Sequence, residues 1–106
     1  MAKYLLQVTY SAEGIKGVVK DKPSGRKAAV EKALAGVGAK LDVMYYAFGD
    51  YDLVVIVDAP DNVAAAAISF AVCATGLARI STVPLLTVEE TDRAVTKSVQ
   101  YRGPGQ

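Results

Sequence analysis

Two runs of β-branched and aromatic residues, Val43-Met44-Tyr45-Tyr46-Ala47-Phe48 and Leu53-Val54-Val55-Ile56-Val57, are separated only by Gly49-Asp50-Tyr51-Asp52. So short a separation predicts an antiparallel hairpin. Gly49-Asp50 at its tip suits a two-residue type II′ turn, in which glycine supplies the positive φ of the first central position. That turn pairs Phe48 with Tyr51, Tyr46 with Leu53 and Met44 with Val55 on one face. Leu41, Val43, Tyr45, Ala47, Asp52, Val54 and Ile56 then share the other. Two central strands and their register therefore follow from one motif. Both faces are largely apolar, whereas an antiparallel sheet with one wet face alternates apolar and polar residues, so both faces are expected to be covered.

The rest of the chain falls into place around the hairpin. Residues 3–10 alternate, with Tyr4, Leu6, Val8 and Tyr10 on one face and Leu5, Gln7 and Thr9 on the other, as in a strand with one polar face. Ser11 can cap a short helical turn carrying Ile15, Val18 and Val19, which Asp21-Lys22-Pro23-Ser24-Gly25 interrupts. Val30, Ala33, Leu34 and Val37 then recur at helical spacing over residues 25–37, and Gly38 is placed for the left-handed conformation that ends a helix. Strands are expected at 40–48 and 51–58. Pro60-Asp61 opens a second helix over 62–75, ending at Gly76 and apolar nearly all round, so both its sides are expected to be covered. Residues 78–85 read as a fourth strand, placed at an edge by Pro84, which cannot donate to a ladder. Thr87-Val88-Glu89-Glu90 is a capping box for a last helix reaching about Val99, and in the tail 99–106 the run Arg102-Gly103-Pro104-Gly105-Gln106 is disordered by composition.

The order β, α, β, β, α, β, α describes one α+β domain over residues 1–106. It is the ferredoxin-like βαββαβ arrangement, a four-stranded antiparallel sheet with its main helices on one face, plus a C-terminal helix. Such a sheet leaves its second face bare, and only the thin C-terminal helix remains in the chain to cover it. A homodimer or higher homo-oligomer is therefore expected, because burying a few hundred Å² of apolar surface at about 25 cal/mol per Å² is worth several kcal/mol before association costs.

The chain has 106 residues, with 12 Lys and Arg against 11 Asp and Glu, so the net charge of +1 makes no case for nucleic acid or an anionic membrane as partner. Charge is divided unevenly, positive through Lys40 and negative beyond it. Lys16, Lys20, Lys22, Arg26 and Lys27 form either solvated helix faces or an anion-steering patch. There is one cysteine and no histidine. Intramolecular disulfides, histidine-containing metal sites and Ser-His or Cys-His catalysis are thereby excluded. Cys73, in the apolar run Val63 to Ala74, reads as an inert thiol, and that run is far short of the ~20 residues of a membrane span. With no secretory signal ahead of the first strand, a cytoplasmic protein is expected. No Gly-rich phosphate loop follows a strand, so no nucleotide or other cofactor is expected.

Asp52 is the candidate for chemistry. A carboxylate at the start of a strand, on the face of Tyr45 and near Gln7 and Thr9, can bind a small polar ligand or act as a base, or it can hydrogen-bond a tight turn. Tyr45, Tyr46, Phe48 and Tyr51 offer either a pocket lining or cross-strand packing. Arg79 offers an anion partner or an edge charge that discourages aggregation. The candidate ligand-binding set is thus Gln7, Thr9, Tyr45, Tyr51, Asp52 and Arg79, with no metal site.

Gly49-Asp50-Tyr51-Asp52 with its apolar strand and Ala59-Pro60-Asp61, preceded by Tyr10-Ser11-Ala12-Glu13-Gly14-Ile15-Lys16-Gly17, resembles the GYD domain family of small bacterial proteins. The family's Gly, Tyr and Asp correspond to Gly49, Tyr51 and Asp52, with Asp50 inserted. The resemblance runs from the first strand into the fourth and implies a dimeric α+β barrel without an established activity. Three functions remain open: a small-molecule binding or sensing module, a cofactor-independent monooxygenase- or isomerase-like enzyme, and an assembly subunit. The lack of histidine, the commonest general base, leans against the enzyme.

Overall fold

The computed structural model describes residues 1–106. Its elements are β1 (Ala2–Tyr10), α1 (Ala12–Ala35), β2 (Lys40–Tyr46), β3 (Leu53–Ala59), α2 (Asn62–Cys73), β4 (Ala78–Leu85) and α3 (Val88–Val95). The strands form one antiparallel sheet in the order β2-β3-β1-β4, the expected ferredoxin-like topology. β4, the strand with Pro84, lies at an edge as expected. β2 lies at the opposite edge, so only one strand of the hairpin is central, because β1 occupies the free side of β3.

The hairpin register is the expected one, Tyr46 facing Leu53 and Met44 facing Val55, but its turn is different. Pairing ends at Tyr46 and Leu53, one more bond runs from the Ala47 N–H to the Asp52 carbonyl at 2.8 Å, and Gly49 does not adopt a positive φ. The connection is therefore an open loop and not a type II′ turn, and it carries Phe48 fully exposed at its tip. A second departure lies at Asp42, where a bulge shifts the register so that Leu41 faces Val57. One extra residue reverses the alternation beyond it, so Leu41 joins the helix-side core instead of the open face. Lys3 Nζ bridges the bulge, 3.0 Å from Asp42 and 2.9 Å from Asp58.

Alternation along the strands decides where the core sits. Tyr4, Leu6 and Val8 of β1 and Leu53, Val55, Val57 and Ala59 of β3 point to the helices, where Leu34 of α1 and Ala64 and Ala65 of α2 cover them. α1 is bent at Lys22 (φ 66°, ψ 150°), immediately before Pro23. Proline disfavours the α conformation of the residue before it and has no N–H to donate, so the interruption falls where the sequence places it. The segment before the bend, residues 12–21, is longer than the short turn expected. Ser11 caps α1, and Gly38 adopts a φ of +72° just beyond its end. Of the basic cluster, Lys16 pairs with Glu13 at 3.3 Å and Arg26 with Asp21 at 3.5 Å.

α3 opens with the expected capping box. The Glu90 N–H donates to Thr87 Oγ1 at 3.0 Å, and the Thr87 N–H donates to Glu90 Oε1 at 2.9 Å. The helix ends at Val95 and not near Val99, no residue of it is buried, and the chain closes in a turn in which the Gln106 N–H donates to the Gly103 carbonyl. The bonds from the Thr87 backbone hold the Glu90 carboxyl below its ordinary 4.5. A depressed carboxylate stabilises the fold above its unfolded pKa and loses that contribution as pH falls through the folded value. The Thr87 amide should accordingly lose protection on acidification from pH 5 toward 3, read by NMR, whereas a Glu90→Gln variant should show no such step.

Candidate functional site

In the antiparallel register of β1 and β4, Gln7 stands opposite Ser81 and Thr9 opposite Arg79. Each is one residue out of phase with the buried Leu6, Val8 and Ala78, so all four occupy the sheet face that carries no helix. With Tyr51 of the hairpin loop and the edge of Ile80 they bound a recess of about 270 Å³. Beside it the same face carries the largely apolar row Leu5, Val43, Tyr45, Val54, Ile56 and Val83, ending in the Lys3–Asp58–Asp42 ion cluster.

Four of the six candidates named from sequence, Gln7, Thr9, Tyr51 and Arg79, thus line one recess. Tyr45 shares the face and the cross-strand row of Val54, Gln7 and Ser81. It stands on edge strand β2, two strand spacings or about 10 Å from Gln7, and is 69% exposed. Asp52 does not line the recess. Its N–H donates to the Val8 carbonyl and its Oδ2 accepts from the Tyr10 N–H, both at 2.8 Å, so the carboxylate fastens the end of β1 to the hairpin loop. Ser81 was not anticipated, although period-2 alternation from Arg79 places it on the same face. What sequence could not supply was the register of β4 against β1, two strands far apart in the chain.

The recess offers a guanidinium fork, a carboxamide and the hydroxyls of Thr9, Tyr51 and Ser81, a donor-rich set around one positive charge. Such a set suits a small anionic or carbonyl-bearing group, with Arg79 able to engage a carboxylate through two parallel bonds. No Asp or Glu lines it to serve as a base for the hydroxyls. Elsewhere no three of Cys, Asp or Glu come together in a metal-binding group, and Cys73 is half-buried on α2. No helix is long and apolar enough to cross a membrane.

The family model of the GYD domain matches residues 4–95, most of the chain and all seven secondary-structure elements in whole or part. Comparisons with curated proteins and with solved structures give no match.

Proposed function

The chain belongs to the GYD domain family, and from that premise we propose that it is a homo-oligomeric module that binds or senses a small anionic molecule. Copies meet through their open sheet faces, and the recess of Gln7, Thr9, Tyr51 and Arg79 becomes a closed site between them. The observation that carries this reading is the surface of the single chain. It exposes 7538 Å², against about 5,700 Å² for a compact monomer of this length. Its Cα radius of gyration is 16.8 Å, against about 13 Å. The excess surface, about 1,800 Å², exceeds the roughly 800 Å² that each partner buries in a standard interface. Part of that excess lies on α3 and the residues after it, none of which is buried, and the open sheet face supplies a contiguous apolar share of it in half-buried Leu5, Val43, Val54 and Ile56.

Val54, at the centre of that face, gives the test. Wild type should sediment as a dimer or larger at micromolar concentration, and Val54→Lys should sediment as a folded monomer, since an unpaired buried charge is costly. In a thermal-shift screen of small carboxylates and phosphates, a ligand should raise the wild-type melting temperature and lose its effect in Arg79→Ala. A monomeric wild type with no such ligand would end this reading.

A further inference from the structure

Two segments of the chain hold apolar side chains in water. α3 has no buried residue, and Val88 and Val95, which share one helical stripe, are each 75% exposed. An isolated helix shorter than about 12–15 residues is marginal in water, so α3, with eight, needs something to pack on. The first part of α1, before the bend at Lys22, exposes Ile15 and Val19 one turn apart. Charge of opposite sign flanks the two stripes. α1 carries six basic against three acidic side chains, a net +3, and α3 three acidic against one basic, a net −2. Lys16 pairs with Glu13 and Arg26 with Asp21, whereas Lys20, beside Val19, makes no ion pair, and neither do Glu89 and Asp92, beside Val88.

We propose that α3 of one copy docks on the first part of α1 of a second copy, Val88 and Val95 against Ile15 and Val19, with Glu89 and Asp92 beside Lys20. This contact rests on the homo-oligomeric reading above only in needing a second copy. Within one chain the two segments stand at opposite ends of β4. α1 is tied to its start by the bond from the Ser11 N–H to the Leu77 carbonyl, and α3 follows its end at Leu85, about 23 Å away at the rise of an extended strand. A two-fold axis running across the strands reverses their direction and sets each α3 at the α1 end of its partner, so the contact is made twice. α2 is the other helix with large apolar side chains in water, Val63 and Phe70, but it has no charged residue to answer Glu89 and Asp92. The choice of α1 therefore follows from charge.

The test is a charge swap in the full chain, read by sedimentation at low salt. Asp92→Lys and Lys20→Glu should each weaken self-association about tenfold, because each turns an attraction into a repulsion at two symmetric contacts. The double variant should return to within about threefold of wild type, and at about 1 M salt, where the screening length is about 3 Å, all four proteins should converge. All these positions are exposed, so folding is not at stake. A second measurement is covalent. Val19→Cys with Val95→Cys should give a disulfide-linked dimer on a non-reducing gel, and neither single variant should. Single charge variants that associate as wild type does, a loss that the swap leaves unrestored, or a cysteine pair that links no dimer would each overturn the proposal. The sheet-face reading fails separately. If Val54→Lys dissociates the oligomer and Asp92→Lys does not, that reading stands and this one falls. If the swap restores association and Val54→Lys never disturbs it, the reverse holds.

Discussion

Gly14→Ala should lower stability by about 3 kcal/mol, the upper part of the usual range for overpacking. Placed at Gly14, a Cβ would collide with the Leu77 carbonyl oxygen. That oxygen is backbone and cannot swing aside, and it already accepts from the Ser11 N–H at 2.9 Å and the Ser11 hydroxyl at 3.2 Å. The start of α1 is therefore pinned against the start of β4, and the added methyl must push the two apart. The melting temperature should fall by more than about 10 °C. Gly17 is the internal control. It lies one turn further along the same helix, and a Cβ there meets nothing within 4 Å. Gly17→Ala should thus stabilise by about 0.5–1 kcal/mol, the ordinary gain of alanine over glycine in a helix. Thermal unfolding of the two variants checks both signs, and a Gly14→Ala protein that melts with wild type would show that the two elements do not approach so closely.

Asp52→Ala should cost about 2 kcal/mol, the scale of a hydrogen bond to a charged acceptor. The Tyr10 N–H is left without its partner, and the melting temperature should fall by about 10 °C. Asp52→Asn keeps an oxygen in the same position without the charge, so about half of that loss is expected. Neither variant should change ligand selectivity at the recess, because Asp52 does not line it. This pair separates a structural carboxylate from a catalytic one. A proton-transfer role would be lost in Asn and Ala alike, whereas a structural role is graded between them.

Asp52 also shows where reading the chain stops. Alternation placed it on the open face with Tyr45, a valid inference for a residue inside a strand. The strand begins at Leu53, however, and in the loop before it the carboxylate is free to turn toward the nearest unpaired N–H, that of Tyr10. Leu41 met the same limit from the other direction, since alternation fails beyond a bulge and nothing in Leu41-Asp42-Val43 announces one. The turn at Gly49-Asp50 had the composition of a II′ turn without its geometry, because composition permits a positive φ and does not require it.

Local chemistry alone determined the seven elements, the hairpin register, the α1 interruption before Pro23, the α3 capping box and the edge position of β4. Each rests on forces acting within a few residues: side-chain periodicity, a missing N–H, a hydroxyl reaching the next turn. The tertiary structure alone decided which residues share a site. Gln7 and Thr9 meet Arg79 and Ser81 only because β1 and β4, some seventy residues apart, pair in one register. That register is settled by packing summed over the whole core, where no short window of sequence carries the answer.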